Sequence, residues 1–154
     1  MIAPAIEAEE YTVGIEIDTS TTFGADVIKR LEVQKLAWLT TMDSKGTPQP
    51  NPVWFIWDDG VIYIFSKPNQ AKLSNIARSG RIALNLEATA DEEHVTIFTG
   101  QAEIIDRADL PAGILDRYAE RYKDGMKGIQ LTRAEYEAAY TIPIRFTPEK
   151  LRGW

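Results

Sequence analysis

"PQPNPVWFIWDDGVIYIFSKPNQAKLSNI", residues 48–76, is the stretch on which the fold turns. Two apolar runs flank Asp58-Asp59-Gly60, and a lysine-bearing segment follows at once. Val53, Phe55 and Trp57 alternate with Trp54 and Ile56, and Val61, Tyr63 and Phe65 with Ile62 and Ile64. Alternation of period two marks a strand, because successive side chains leave opposite faces. The Asp-Gly pair marks a hairpin tip, where glycine accepts the positive φ that a tight turn demands. Few positions in either run are polar, so both faces of both strands are expected to be covered, as in a closed barrel. "PNQAKLSNIARSG" then predicts a helix, with Leu73, Ile76 and Ala77 as its apolar stripe and Lys72, Asn75 and Ser79 on a neighbouring polar face.

Upstream, "TTFGADVIKRLEV" carries Val27, Ile28 and Leu31 at helical spacing, with Thr22 or Asp26 near its start. "LAWLTTM" reads as a strand and "DSKGTP" as the turn after it. "YTVGIEID" alternates as a candidate edge strand within an N-terminal arm of residues 1–20. Downstream, "RIALNLEA" and "HVTIFTGQAEII" predict two strands, the second bent or bulged at Gly100. "DRADLPAGILDRYAERY" predicts an amphipathic helix with Leu110, Ile114, Leu115, Tyr118 and Tyr122 inward. Thr132 and Glu135 form a capping-box pattern before "AEYEAAY", and "TIPIRFTP" closes as a last strand. Strand and helix do not alternate throughout, so a parallel sheet is not expected. The fold class is α+β, mainly β: an antiparallel split barrel with flanking helices, in one domain spanning residues 1–154.

Composition narrows the chemistry. A chain of 154 residues can bury most of its apolar surface in one core. Its 17 basic and 23 acidic residues leave a net charge of −6, which opposes non-specific nucleic-acid binding, where many phosphates must be neutralised. With no cysteine, disulfides, thiolate metal sites and cysteine nucleophiles are excluded. The single histidine, His94, reads as a strand-start residue, and no metal site is expected. No run approaches the ~18 apolar residues of a membrane span, and the acidic N-terminus is unlike a signal peptide. A cytoplasmic protein without membrane or nucleic-acid partners is expected.

Chemistry-bearing residues concentrate after the hairpin. Ser66, Lys67, Gln70, Lys72 and Asn75 sit where a strand runs into a helix start, a place that offers free N–H groups and a positive dipole to a phosphate. A solvated polar turn with two surface lysines is the other reading of the same residues. Trp38, Phe55 and Trp57 read as core, while Trp54 and other aromatics can also floor a flat heterocycle. Trp154, at the chain end, needs something to dock on. Arg145 and Arg152 stand as surface charges or as contacts to an anionic ligand.

"LAWLTTMDSKGTPQPNPVWFIWDDGVIYIFSKPNQAKLSNIARSGRIALNL", residues 36–86, resembles the pyridoxamine 5'-phosphate oxidase-like, flavin-binding split-barrel family, and within it the coenzyme F-420-dependent branch. The resemblance implies a homodimer with its cofactor at the subunit interface. It implies that Asn51, Pro52, Val53 and Trp54 run beside an isoalloxazine-type ring. Phe65, Ser66, Lys67 and Lys72 are implied at the phosphate, and the partner's C-terminal region, Arg145, Arg152 and Trp154, at the same cofactor.

Departures from the pattern refine this. Flavin-binding oxidases of the family carry an arginine where this chain has Asn51, and an Arg-Lys pair where it has Ala71-Lys72. Two cations are thus missing, which suits the singly charged diester of coenzyme F-420 better than the phosphomonoester of FMN. "IRFTPEKLRGW" also departs from the pyridoxamine-phosphate recognition pattern, so vitamin B6 oxidation is not expected. The expected activity is coenzyme F-420-dependent hydride transfer to or from a small planar substrate, with no catalytic residue assigned. The alternatives are an FMN-dependent enzyme of the same family and a non-catalytic module for flavin or haem, with His94 the only nitrogen ligand for the latter.

Overall fold

Only two residues separate Val53, which closes one strand, from Ile56, which opens the next, yet those strands lie at opposite ends of the sheet. A computed structural model describes residues 14–88, 90 and 94–154. Its strands are β1 (Ala37–Met42), β2 (Pro48–Val53), β3 (Ile56–Asp58), β4 (Val61–Ser66), β5 (Arg81–Leu86), β6 (Thr96–Ile104) and β7 (Ile142–Gly153). They form one seven-stranded sheet, ordered β2-β1-β5-β6-β7-β4-β3, with every pairing antiparallel. The Trp54-Phe55 link can span no more than roughly 10 Å. The two sheet edges must therefore curl round to meet there, and the sheet becomes a split barrel.

The expected continuous strand from Val53 to Trp57 is thus broken, and the break has a cause. At Trp54-Phe55 the ladder stops, and side chains from α3 (Ile114–Arg121) and the residue after it take over the backbone groups. The buried Tyr122 hydroxyl accepts from Phe55 N–H at 2.8 Å and lies 2.8 Å from the carbonyls of Phe55 and Lys35. Arg121 donates to Phe55 O at 2.9 Å, to Glu32 O at 2.7 Å and to Gln34 O. A buried N–H without a partner is costly, so the seam depends on these side chains. Tyr122→Phe strands the Phe55 N–H and is expected to cost about 1–3 kcal/mol, read from urea unfolding of parent and variant. Equal midpoints and slopes would show that the hydroxyl does not hold the seam.

The hairpin expectation holds. Asp58 pairs with Val61, and Asp59 (φ 45°) and Gly60 (φ 88°) both take positive φ, as a two-residue primed turn requires. All six β4 residues are buried. Ile62 and Ile64 join Phe55, Leu39, Phe98 and Phe146 inside the barrel, while Val61, Tyr63 and Phe65 pack outside it beneath Tyr118, Tyr122 and Tyr136. Gly100 marks the expected bulge, where the β6–β7 register slips between Thr99 and Gly100; a Cβ there would lie 2.4 Å from Thr147 O.

Other boundaries moved. β2 includes Pro48, Pro50 and Pro52, each opposite a β1 residue, although prolines obscure a strand in the sequence. Helix α1 (Thr22–Val33) is capped by Thr21, whose Oγ1 accepts from Gly24 N at 3.0 Å, rather than by Thr22 or Asp26. In α2 (Ala71–Arg78), Asn75 is buried and Ala77 exposed, so the inward stripe is rotated from the expected one. The segment expected as a helix from Asp106 forms a 3-10 turn (Arg107–Asp109), and α3 starts only after Gly113 (φ 76°). Two short helices follow, α4 (Lys123–Gly128) and α5 (Arg133–Ala139), the latter with the expected Thr132–Glu135 capping box. Residues 14–18 form no strand; Ile15 N donates to Gly60 O at 3.1 Å, and Ile15 and Ile17 pack on the barrel. Residues 1–13 of the expected arm and the acidic run 91–93 lie outside the described residues. No helix among the described residues is long and apolar enough to cross a membrane.

Candidate functional site

Two clefts meet where β2, β4 and α2 converge, and Lys72 lines both. The first, about 260 Å3, is apolar and aromatic, walled by Pro52, Val53 and Trp54 from the seam, Phe65 from β4, and Tyr136 and Tyr140 from α5 and its end. The second, about 390 Å3, is polar, lined by Asn51, Gln70, Ala71 and Asn75, with Asp43 and Gln49 at its other side. The same two-strand delivery that closes the barrel thus places an aromatic wall beside a helix start.

The aromatic wall is an ordered stack. Trp54 lies on Tyr122 (centroids 4.6 Å, 5° between planes) and on Tyr136 (5.4 Å, 17°). Tyr136 lies in turn on Tyr140 (4.2 Å, 11°), whose ring carries the Lys67 ammonium at 5.4 Å. Phe65 meets Tyr118 edge-on at 4.7 Å, the favoured arrangement for opposed ring quadrupoles. The Tyr118 and Tyr136 hydroxyls share a 2.8 Å hydrogen bond. Burial raises the pKa of both phenols, most strongly that of Tyr118, so both stay protonated in the working range.

Lys72 differs from the other basic side chains. It is half-buried, makes no ion pair among the described residues, and burial alone holds its ammonium below the ordinary lysine value. No side chain caps the start of α2, where Gln70 is the capping residue. Asp43 brings one carboxylate to the polar cleft. It accepts from the N–H groups of Lys45 and Thr47 (both 2.9 Å) and from Gln49 Nε2 (3.1 Å), and the Thr47 bond leads in keeping its pKa low. The charged group that acts on Asp43 is Arg78, and Lys72 stays without a carboxylate partner among the described residues.

The remaining sequence candidates occupy varied places. Asn51 Nδ2 donates to Gln49 O at 3.3 Å. Ser66 is buried, its hydroxyl donating to Lys67 O at 2.8 Å. Asn75 ties α2 to β1, donating to Thr41 Oγ1 at 3.0 Å and accepting from Arg78 at 3.4 Å. Arg145, opposite Tyr63, is paired with Glu103 through Nε (2.9 Å) and Nη2 (2.7 Å). Arg152 and Trp154 sit at the far end of β7, which begins beside Ser66 and ends beside Thr96. Neither residue lines either cleft. Trp154 docks through its backbone on Val95, and the residue is 69% exposed. His94 Nδ1 lies 3.0 Å from Asp26 Oδ2 and lines neither cleft. No cluster of metal-ligating side chains occurs among the described residues.

Sequence reasoning missed Tyr136 and Tyr140 as walls of the site. Their i, i+4 spacing in "AEYEAAY" places them on one helix face, but nothing local says that this face meets Trp54.

The model of the pyridoxamine 5'-phosphate oxidase family matches residues 25–154. The chain belongs to that family. Membership in the pyridoxamine 5'-phosphate oxidase family places it among flavin-related oxidoreductases without naming a cofactor or substrate. No curated protein matches its sequence. Solved structures similar to it include a conserved hypothetical protein of Mycobacterium tuberculosis (20% identity, TM-score 0.66, covering 96% of this chain and 89% of the other). Others are an F420 reductase (21%, 0.63, 80% and 94%) and an FAD-binding protein of Mesorhizobium loti (18%, 0.62, 84% and 90%). Identities this low show a shared fold and no more.

Proposed function

We propose that this protein is a coenzyme F-420-dependent oxidoreductase acting on a small planar substrate. The observation that carries the reading is Lys72, a desolvated ammonium with no carboxylate partner, at the junction of an aromatic and a polar cleft. The residues fit a flavin-type group: the aromatic cleft suits a ring, and the start of α2 suits a phosphate. Bound there, such a cofactor supplies or accepts a hydride. The chain's residues orient and shield it. Trp54 and Tyr136 exclude water from one face, and Lys72 with the first turn of α2 holds the negative end.

Charge favours the deazaflavin over FMN. Lys72 is the one cation among the described residues that line the polar cleft, which suits a singly charged diester better than the phosphomonoester of FMN. FMN remains the second reading, carried by the same geometry. Fluorescence titrations with both cofactors decide between them. Tighter binding of coenzyme F-420 supports the proposal; FMN binding at least as tight overturns it.

Lys72→Ala is expected to weaken coenzyme F-420 binding by about 1.5–3 kcal/mol, the value of a charge-assisted hydrogen bond. The ammonium binds the anion only while protonated, so affinity falls as pH rises through the pKa of the free protein's Lys72. Burial lowers that pKa, so the fall begins below the ordinary value of 10.5. A Lys72→Ala variant that keeps the parent's affinity and pH profile would move the phosphate elsewhere.

The same proposal includes a homodimer, in which Arg152 and Trp154 reach the partner's cofactor across the interface. The exposed Trp154 and the half-buried Trp38, Thr40 and Met42 on the outer face of β1 support it. Sedimentation at micromolar concentration should give two chains per particle, and a monomer with cofactor present would remove the dimer.

A further inference from the structure

Of the eight lysines in the chain, Lys72 alone is half-buried, and the other seven are exposed. Its side chain lines the aromatic cleft walled by Trp54, Tyr136 and Tyr140 as well as the polar one. It makes no ion pair among the described residues, and burial alone holds its ammonium below the ordinary lysine value. The other titratable groups that line its two clefts are Asp43, Tyr136 and Tyr140, and none of them contributes to that shift. The Asp43 carboxylate accepts from Lys45, Thr47 and Gln49, and the Tyr136 hydroxyl is hydrogen-bonded to Tyr118.

A desolvated amine gives up its proton more readily, and the free amine is a nucleophile toward carbonyl carbon. Two other lysines invite comparison. Lys35 also falls below the ordinary value, through burial and then the Arg121 charge, but it is exposed and Asp124 acts in the opposite direction. Lys67 is exposed too, with its ammonium over the Tyr140 ring. Lys72 instead joins a desolvated amine to a wall of stacked rings, a surface on which a flat ring can rest.

We propose that Lys72 is a carbonyl-capture site: in the cofactor-free protein its amine forms an imine with a planar aromatic aldehyde whose ring occupies the cleft of Trp54, Tyr136 and Tyr140. The nitrogen lone pair attacks the carbonyl carbon and a proton passes from nitrogen to oxygen. Loss of water then leaves the C=N bond, with no oxidant or reductant involved. A bound anionic cofactor withdraws the same amine by keeping it protonated, so such aldehydes compete with the cofactor. That competition rests on the reading of these clefts as a flavin-type cofactor site; the imine itself does not.

Benzaldehyde is a suitable probe at neutral pH, with sodium cyanoborohydride to reduce the imine to a stable secondary amine and peptide mapping to locate it. Lys72 should be labelled at least about tenfold faster than any other lysine, because the ring is held beside its nucleophile. With butanal, which has no ring to rest on the wall, that preference should shrink at least about threefold. Lys72→Arg keeps the charge and should abolish the fast label, leaving the slow background of the exposed lysines. Coenzyme F-420 at about ten times its Kd should slow labelling of Lys72 about tenfold. Fast label on Lys72 that the cofactor does not slow supports the capture site and takes Lys72 out of the cofactor site, so the two readings fail separately. The proposal is overturned if the label spreads evenly over the lysines or settles on Lys35 or Lys67. It is overturned equally if butanal prefers Lys72 as strongly as benzaldehyde does.

Discussion

Phe55→Ala is expected to destabilise the protein by about 3–5 kcal/mol, a large share of the stability of a chain this size. Phe55 is fully buried in the barrel core at the seam, beside Leu39, Ile62 and Phe98. Its ring also lies 4.8 Å from the Arg121 guanidinium, whose Nε bonds the Phe55 carbonyl. Truncation therefore opens a cavity and loosens the clamp that holds the two sheet edges together. Equilibrium unfolding in urea measures the loss. A change below about 1 kcal/mol would mean that the seam collapses around the gap, against the close packing inferred here.

The second large effect concerns cofactor choice. Asn51 and Ala71 line the same polar cleft as Lys72. Asn51→Arg with Ala71→Arg adds two cations there, each worth roughly 1.5–3 kcal/mol to a phosphate in a partly desolvated site. Neighbours around one phosphate fall short of additivity, so a gain of about 3–5 kcal/mol is expected for FMN, with a smaller gain for coenzyme F-420. Paired titrations on parent and double variant measure both. Equal gains for the two cofactors would show that phosphate charge does not discriminate between them.

Signals confined to a few neighbouring residues were legible in the sequence. The Asp59-Gly60 turn, the twofold burial of Val61–Phe65, the Gly100 bulge and the Thr132–Glu135 capping box each depend on local chemistry, and the structure carries all four. The break at Trp54-Phe55 was not legible, because its cause lies about 67 residues downstream, in the Tyr122 hydroxyl. The phase of α2 was misjudged for a similar reason. Thr41 and Arg78 supply partners that allow Asn75 to be buried, and no hydropathy pattern foretells that. The start of α3 was readable in principle, since Pro111 and Gly113 interrupt the helical spacing. For the site, the residues of the seam and of the α2 start stood out by their order along the chain. The tyrosines that complete the aromatic cleft did not, because only the closed barrel brings α5 to Trp54.

The prolines of β2 bear on how the protein meets other chains. Pro48, Pro50 and Pro52 face Met42, Thr40 and Trp38 across the β1–β2 ladder. Lacking N–H groups, they can hold only the positions whose donors would point away from β1. The outer rim of β2 consequently offers acceptors but, at three successive outward positions, no donor. An incoming strand would find half of its hydrogen bonds unanswered there, so this margin cannot seed fibrils or extend the sheet into a neighbour. Association beside β2 must then be made by side chains meeting on the sheet's broad outer surface, where shape and chemistry can discriminate between partners.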